Sequence, residues 1–319
     1  MSALKTQLEF ELKRFNVTQK SIETIFIGGG TPSTVSPELY KPIFKLLNSH
    51  LKDNIEITSE ANPNSATPEW LSGMKELGVN RISFGVQSFN ADKLKLLNRA
   101  HTPDQAKNAV LNAAKVGFKN ISLDLIYATF GDTKELLEND INIAFSLPVN
   151  HISAYALTIE EGTAFESKPQ MSSEQLSLTS WIFKNIEEHG FEQYEISNFG
   201  SYNSTHNLGY WQYKDYMGVG CGAVGKLELS RFYPHTIVEK YIANPTQIRE
   251  EILDNEDKRI EQIFLGFRSC IGVSSQVLTK DELKRAQILV DENKISLINE
   301  TFYNDEYLLA DEITLFISS

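Results

Sequence analysis

The chain has 319 residues, of which 41% are hydrophobic, with a formal net charge of −12 at pH 7 and two cysteines, Cys221 and Cys270. This length predicts about two domains, and the apolar content is sufficient for a packed core. The negative charge argues against a general nucleic-acid or membrane-surface binder, and the two cysteines argue against a disulfide framework or a metal site made only of cysteines.

The N-terminal segment has the pattern of an amphipathic helix rather than that of a signal peptide. Leu4, Leu8, Leu12 and Phe15 fall on one helical stripe. No apolar run reaches membrane-spanning length, so we expect a soluble, cytoplasmic protein without membrane insertion. A helix of this sort normally covers the strand before it. Either a strand and its loop are missing ahead of this helix, or the helix caps the end of a barrel.

Strand-like runs alternate with helical patterns over the first two-thirds of the chain. The predicted strands are Thr24–Ile27, Ile55–Ser59, Arg81–Val86, Ile121–Ile126, Ile152–Leu157 and Glu192–Ile196. Ser36-Pro37 and Thr67-Pro68 predict helix starts, because each pairs an N-cap residue with a proline at the first helical position. Glycines that predict left-handed helix ends stand at Gly78, Gly117 and Gly190. This alternation predicts a parallel sheet covered by helices.

Polar residues gather at the C-terminal end of nearly every predicted strand. They are Gly28–Thr31, Glu60, Asn62, Gln87, Ser88, Asp124, Thr158, Glu160, Glu195, Ser197 and Asn198. A functional rim supplied by several strands favours a barrel over an open doubly wound sheet, whose site lies in one crevice. We therefore predict an α/β protein: a partial TIM-like (β/α)6 barrel over residues 1–200, a connecting region over 201–243 and a small domain over 244–319.

The glycine turn after the first strand is a candidate ligand site. In the segment Thr24–Ser33, an apolar run ends in Gly28, Gly29 and Gly30, followed by Thr31. Glycines let a ligand approach the main chain, whose N–H and C=O groups remain available to bind it. The alternative is an ordinary tight strand-to-helix loop. The turn lacks the spaced G-x-G-x-x-G of a dinucleotide-binding loop.

The last third of the chain predicts a different architecture. Helical patterns over Ile260–Arg268 and Lys280–Glu292 precede short strand-like runs over Lys294–Ile298 and Glu306–Leu309. Helices followed by a hairpin suggest a winged-helix-like α+β domain. Because Glu250–Asp257 is acidic, contact with nucleic-acid phosphates is not expected, and a lid or partner-docking role is the better prediction.

Several long motifs together resemble one family. They are Gly28–Ser33 (GGGTPS), Glu60–Pro63 (EANP), Gly78–Phe89 (GVNRISFGVQSF), Asn98–His101 (NRAH) and Leu123–Tyr127 (LDLIY). In order and spacing they are similar to the radical S-adenosylmethionine (SAM) proteins related to oxygen-independent coproporphyrinogen III oxidase. His206–Trp211 (HNLGYW) is similar to the H-N-x-x-Y-W signature of that family's heme-chaperone branch, and the resemblance implies a radical SAM barrel with a similar C-terminal domain.

The resemblance implies where SAM binds. It places the ammonium of SAM at Gly29 and Gly30, within the turn that includes Thr31. The carboxylate of SAM suits the guanidinium of Arg99, which matches the family position for that contact. Hydroxyls of the ribose suit the strand-end groups Glu60, Gln87 and Asp124. Each group also has a structural alternative, since Glu60 is able to cap a helix, Asp124 to pair with Arg81, and Arg99 to end a solvated helix.

The resemblance also implies heme contact at His206, a possible ligand of the heme iron. Imidazole is a common axial ligand of heme, and flat aromatic side chains suit the face of a macrocycle. Tyr202, Tyr210, Trp211 and Tyr213 are nearby in the sequence. The alternative is a hydrogen-bonded histidine within a packed aromatic seam.

The chain departs from the family in three ways, of which one is Val224 at a position where the family has histidine. Family members hold a [4Fe–4S] cluster through a C-x-x-x-C-x-x-C motif after the first strand, and this chain has no such motif. We therefore expect the cluster only in a longer, full-length form and no radical chemistry from the chain as given. A degenerate relative that lost the chemistry is the alternative. Where the family has Gly-Leu-Pro-Gly, this chain has Ala128–Gly131, which predicts a turn of different shape.

The predicted function is therefore that of a heme carrier. It binds SAM and heme, and it hands the heme to a heme-requiring partner protein. The alternative is an enzyme of porphyrin biosynthesis that oxidatively decarboxylates coproporphyrinogen III. A third reading is a protein without a cluster that acts through protein contacts alone, and it predicts no SAM binding.

Overall fold

The computed structural model describes residues 1–159, 165–172 and 176–319. Glu160, predicted from the sequence to follow a strand, lies outside the described residues. The chain divides into two compact units. We call Ile25–Glu38 with Glu56–Asn203 the sheet unit, and Met1–Thr24 with Leu39–Ile55 and Ser204–Ser319 the terminal unit. The domain boundaries at residues 200 and 243 stay predictions.

The largest sheet among the described residues has seven strands. Its strands are β1 (Ile22–Ile27), β2 (Leu51–Ala61), β3 (Arg81–Gln87), β4 (Asn120–Tyr127), β5 (His151–Ala156), β6 (Glu192–Gln193) and β7 (Asn198–Gly200). They lie in the order β1-β2-β3-β4-β5-β7-β6. Strands β2 to β5 pair in parallel, as predicted. Their carboxyl ends therefore meet at one edge of the sheet.

The predicted strand Glu192–Ile196 is confirmed only at Glu192–Gln193, and the expected parallel pairing is wrong. The chain instead forms the two short strands β6 and β7, which pair antiparallel, and β7 also pairs antiparallel with β5. A parallel neighbour requires a crossover of a dozen or more residues, and the few residues between β6 and β7 allow only a reversal. The central sheet is mostly parallel, with an antiparallel end.

Helices join these strands. They are α1 (Ser2–Arg14), α2 (Lys41–Leu47), α3 (Pro68–Glu76), α4 (Ala91–Leu96), α5 (Pro103–Val116), α6 (Lys134–Phe145) and α7 (Leu176–Glu188). Thr67 caps α3 by accepting a hydrogen bond from the amide of Trp70, as predicted. The predicted left-handed glycines have φ of 100° at Gly78, 97° at Gly117 and 97° at Gly190. Ser36-Pro37 leads instead into a short 3-10 turn, Pro37–Tyr40, which precedes α2.

The rest of the chain adds two small antiparallel sheets. Its elements are α8 (Thr205–Trp211), β8 (Gly225–Leu227), β9 (Ser230–Pro234), α9 (Val238–Ala243), β10 (Ile248–Ile252), α10 (Asn255–Gly266), β11 (Val273–Ser274), α11 (Lys280–Asp291), β12 (Ile295–Ile298), β13 (Thr301–Asn304) and α12 (Ala310–Ser318). The sheet orders are β10-β9-β8 and β11-β13-β12. Ile263, Phe267, Phe302 and Ile317 are in the core beneath the second sheet.

The predicted strand Glu306–Leu309 is also wrong. The second strand of the hairpin is β13, five residues earlier, and Tyr307–Leu309 forms a 3-10 turn before α12. Asn299 and Glu300 make the hairpin turn with φ of 48° and 63°. Two left-handed residues in succession define a tight type I′ turn. Glutamate is not among the residues typical of this turn, so the sequence does not predict it. Within the described ranges, no helix has both the length and the apolar character needed to span a bilayer.

Candidate functional site

The glycine turn presents bare backbone at the carboxyl end of β1. Gly29 and Gly30 have φ of 81° and 103°, a conformation that favours glycine. A Cβ atom added at either position would meet no atom within 4 Å. The main chain is therefore open to a bound molecule at these two residues.

Glu60, near the end of β2, lies against this turn. A Cβ atom at Gly28 would stand 3.0 Å from the carboxyl carbon of Glu60, so only glycine fits there without displacing that side chain. Burial raises the pKa of the Glu60 carboxyl, and a hydrogen bond from the Gly29 amide partly offsets this rise. Glu60 and the glycine turn form one wall of the site.

Hydrogen bonds tie the turn after Gly30 to the end of β2. The Asn62 side chain donates to Thr31 Oγ1 over 3.4 Å, and the Asn62 amide donates to Ser33 Oγ over 2.9 Å. Ser33 Oγ is also 2.6 Å from Ser65 Oγ. These contacts hold Thr31 beside Asn62 and fix the outer boundary of the glycine turn.

Gln87 ends β3 with a left-handed backbone, φ 68°, which is unusual for a residue other than glycine. Its side-chain oxygen accepts a hydrogen bond from the Tyr155 hydroxyl over 3.2 Å. Gly85 lies between Gln87 and Asn62, because a Cβ atom there would be 3.1 Å from Gln87 Nε2 and 3.6 Å from Asn62 Oδ1. The ends of β2 and β3 therefore present adjacent amide side chains.

Asp124 of β4 is at the centre of the group. Burial, and next the charge of Glu60, raise the pKa of Asp124 to about 6, against the lowering effects of Arg81, Ser83 and Ser153. Ser83 Oγ donates to Asp124 Oδ1 over 3.2 Å. The alternative in which Asp124 pairs with Arg81 is therefore not met by an ion pair within the described residues. The charge of Arg81 nevertheless lowers the pKa of Asp124.

Arg99 follows α4 in the sequence and is half-buried. Its charge acts on Tyr155, whose hydroxyl donates a hydrogen bond to Gln87. Burial, and then the charge of Asp124, raise the pKa of Tyr155, whereas Arg99 lowers it. In the described part of the chain, Arg99 has no carboxylate partner.

The structure therefore brings together the predicted SAM-contacting residues of the sheet unit at one edge of the sheet. They are Gly29, Gly30, Thr31, Glu60, Gln87, Arg99 and Asp124. Tyr155, Asn62 and Gly85 join them, although the sequence did not single out Tyr155 or Gly85. An alternation of polar residues along β3 and β5 is the signal that identifies these two positions.

A buried ion pair supports the loop that follows β4. Lys93 Nζ donates to the Ile126 carbonyl over 2.7 Å and pairs with Asp132 over 2.8 Å, and the two side chains are only 2% and 3% exposed. Asp132 also accepts from the Thr129 amide. Ala128, where the family has glycine, has a φ of 57°.

His206 belongs to the terminal unit, on α8. Its Nδ1 is 2.8 Å from Thr24 Oγ1, and its Nε2 is 3.2 Å from the Tyr210 hydroxyl. The rings of His206 and Tyr210 meet edge to face at 5.0 Å, and Tyr210 also packs edge to face on Tyr216 at 4.8 Å. Tyr213 donates instead to Glu261 over 2.7 Å, which assigns it a structural role.

The residues present do not fit a three-thiolate iron–sulfur site. Cys221 and Cys270 are the two cysteines of the sequence, and both lie in the terminal unit. Across the described residues, no group of three or more histidine, cysteine or acidic side chains is placed to hold a metal ion. The sheet-unit site is built from oxygen and amide groups, which suit a polar organic ligand.

Comparison with known proteins identifies the family. Residues 5–144 match the radical SAM superfamily. The chain is 37% identical over 276 residues to the heme chaperone HemW of Bacillus subtilis (strain 168), which covers 81% of this chain and 73% of that protein. It is 34% identical over 310 residues to HemW of Lactococcus lactis subsp. lactis (strain IL1403), which covers 92% and 81%.

The fold is similar to that of a solved enzyme, the coproporphyrinogen III oxidase HemN of Escherichia coli. The TM-score is 0.81 at 16% identity, over 100% of this chain and 82% of that one. At this identity the likeness concerns the fold, and it confirms the predicted α/β architecture with a mostly parallel central sheet. The superfamily match and the two bacterial relatives show that the chain belongs to the HemW-type heme chaperones of the radical SAM superfamily.

Proposed function

We propose that this protein is a heme carrier that binds SAM in the sheet unit and heme through His206, and passes the heme to a heme-requiring protein. The observation that carries the SAM part is the open backbone at Gly29 and Gly30 beside the carboxylates of Glu60 and Asp124. The heme part rests on the relatives, which are heme chaperones, and on helix α8, which carries the H-N-x-x-Y-W motif. Heme is the cargo of this protein and not its resident cofactor.

The chemistry of the site suits SAM group by group. Backbone carbonyls of the glycine turn accept from its ammonium, and the Arg99 guanidinium forms a two-point contact with its carboxylate. Asp124 and Gln87 offer acceptors to the ribose hydroxyls. When bound, SAM supplies a reactive sulfonium; because the residues present do not fit a cluster, no radical step is assigned to this chain.

SAM binding is tested by a matched pair of glycine variants. Gly30→Ala places a methyl group in the open space of the turn, and we expect the dissociation constant for SAM to rise at least about tenfold, a loss of about 1.4 kcal/mol. Gly190→Ala is the control, since Gly190 also has a left-handed φ and no atom within 4 Å of its would-be Cβ. Isothermal titration calorimetry measures both.

Both glycine variants introduce similar backbone strain, so their thermal stabilities should fall by similar amounts. Equal SAM affinities for Gly30→Ala, Gly190→Ala and the wild type would contradict a ligand at the glycine turn.

Heme binding is tested by titrating hemin into two variants of the His206 site and into one control variant. For Nε2 of His206 to bind iron, it must give up the Tyr210 hydroxyl, and the half-exposed Tyr210 is able to rotate away. We expect His206→Ala to lose the Soret shift, and Tyr210→Phe to bind hemin more tightly than the wild type because the competing hydroxyl is gone. The control is His235→Ala, a second histidine of the terminal unit. A Soret band unchanged in His206→Ala would overturn the assignment.

A further inference from the structure

A second layer of buried polar side chains lies beneath the candidate SAM site, on the same face of the sheet. We call it the basal layer: Thr58, Arg81, Ser122, His151 and Tyr194. All five are between 0% and 2% exposed. Thr58 pairs with Arg81 in the β2–β3 register, and Ser122 pairs with His151 in the β4–β5 register. In the β3–β4 register these two pairs are offset by two positions, and the contact of Arg81 Nη2 with His151 Nδ1 joins them across four strands.

Hydrogen bonds define the protonation of this layer. His151 Nδ1 is 2.7 Å from Ser122 Oγ and 3.4 Å from Arg81 Nη2, and His151 Nε2 is 2.8 Å from the Tyr194 hydroxyl. A guanidinium only donates, so Nδ1 accepts and Nε2 carries the proton. Burial, and next the charge of Arg81, hold the pKa of His151 well below its usual range. Arg81 is thus the cation of the layer.

The charge of Arg81 lacks a local counter-ion. Unlike Arg231 and Arg259, it forms no ion pair in the described part of the chain. Its Nε atom is buried without a hydrogen-bond partner among those residues. A guanidinium stays protonated in proteins, so a compensating negative charge is expected close by.

The contacts of the guanidinium point to Asp124 as that charge. In the β3–β4 register Arg81 pairs with Asn120, but Arg81 Nη2 reaches His151 Nδ1, which is 2.7 Å from Ser122 Oγ. Residues two apart on a strand share a face, so Ser122, and the guanidinium beside it, lie about 7 Å below Asp124. Ser83 bridges the two layers by donating to Asp124 Oδ1. Arg81 lowers the pKa of Asp124, whereas burial and Glu60 raise it.

We propose that Arg81 is a positioning residue of the SAM site: its buried guanidinium is the counter-charge that keeps Asp124 ionised, so that the carboxylate accepts the ribose hydroxyls of the ligand. This inference rests on the proposed function. The groups that face Asp124 are Glu60 from β2, Arg81 and Ser83 from β3, and Ser153 and Tyr155 from β5. Arg81 is the cation among them.

The magnitude of the effect is testable. Unit charges about 7 Å apart at an effective dielectric constant of about 20 shift a pKa by about 1.5 units. Without the charge of Arg81, Asp124 should therefore be mostly protonated at pH 7. A protonated carboxyl offers fewer acceptors to a diol.

The experiment compares two neutral variants, Arg81→Met and Arg81→Gln, with Arg81→Lys, which keeps the charge. Carboxyl ¹³C NMR of the ligand-free protein, with the signal assigned through Asp124→Asn, gives the Asp124 midpoint. Calorimetry gives SAM affinity between pH 6 and 9. We expect both neutral variants to raise the midpoint by about 1.5 units, and to weaken SAM binding about fourfold at pH 7 with recovery at pH 9. Arg81→Lys should stay within about 1.5-fold of wild type.

Two results would overturn the proposal: an Asp124 midpoint unchanged in the neutral variants, or a loss of SAM affinity that is the same at every pH. Failure of both neutral variants to fold, with Arg81→Lys folded, would assign the positive charge at position 81 to stability alone and would also overturn it. If the wild type binds no SAM, the proposed function fails, and the NMR measurement still decides the role of Arg81.

Discussion

Glu195, in the turn between β6 and β7, is a buried carboxyl whose ionisation works against folding. It is 1% exposed, and burial raises its pKa to about 7, although Ser197 and Asn198 donate hydrogen bonds to it. A carboxyl whose pKa is higher in the folded than in the unfolded state stabilises the fold below its unfolded value of 4.5, and this stabilisation is lost as the pH rises through 7.

We therefore expect Glu195→Gln to raise the free energy of unfolding at pH 8 by about 1–3 kcal/mol and to change it little at pH 4.5. Urea denaturation at the two pH values measures the difference. Glu192→Gln, an exposed carboxylate of the same hairpin, is the control. A variant no more stable than the wild type at pH 8 would show that Glu195 is not held in this environment.

At the level of single residues, the sequence was sufficient to predict which polar side chains at the strand ends contribute to the candidate site. Glu60, Gln87 and Asp124 lie towards the C-terminal ends of apolar runs, and this position predicted that they would meet. Tyr155 and Arg81 were not predicted as site residues, because their roles depend on which strands are neighbours. Ser88, counted among the strand-end groups, instead donates to the buried Asp140 over 2.6 Å.

At the level of elements, the ion pair between Lys93 of α4 and Asp132 holds the loop after β4. Removing one partner of a buried pair leaves an uncompensated charge, so Lys93→Met and Asp132→Asn should each destabilise the protein by about 3–5 kcal/mol. The double variant should lose much less than the sum of the two. A thermodynamic cycle from urea denaturation measures this coupling, and additivity within about 0.5 kcal/mol would contradict a paired interaction.

The parallel strands were predictable as elements, and the two hairpins were not. Strands β2 to β5 are recognisable in the sequence as apolar runs with polar residues towards their ends, and capped helices lie between them. The hairpins of β6–β7 and β12–β13 depend on turn geometry: a short reversal in the first, and left-handed Asn299 and Glu300 in the second. The geometry of such turns depends on backbone conformation. Residue types other than glycine, asparagine and aspartate predict that conformation only weakly.

At the level of the whole molecule, α1 packs with residues that follow more than two hundred positions later. Gln7 is fully buried; its side-chain oxygen accepts from the Gly220 amide and the Tyr241 hydroxyl, both over 2.8 Å, and its amide donates to the Gly218 carbonyl over 3.1 Å. The amphipathic pattern predicted the helix, with Leu8 and Leu12 buried. The pattern did not predict that Gln7 would be the most buried polar residue of α1, because the partners of Gln7 are distant in the sequence.

Gln7→Ala leaves these three partners unsatisfied, and we expect it to destabilise the terminal unit by about 2–4 kcal/mol. Gln19→Ala, at an exposed position shortly after α1, should be neutral. Hydrogen exchange followed by mass spectrometry distinguishes the two units, and a loss of protection confined to the terminal unit is the expected result. Equal protection in Gln7→Ala and the wild type would mean that these bonds contribute nothing.

The distance along the chain between Gln7 and Tyr241, 234 positions, has a consequence during protein synthesis. A ribosome adds about 5–20 residues per second, so α1 leaves the exit tunnel some 10–50 s before Tyr241 has been made. For that interval Gln7 lacks the hydrogen-bond partners that bury it in the folded protein. The helix therefore reaches its final packing only after most of the polypeptide has been synthesised.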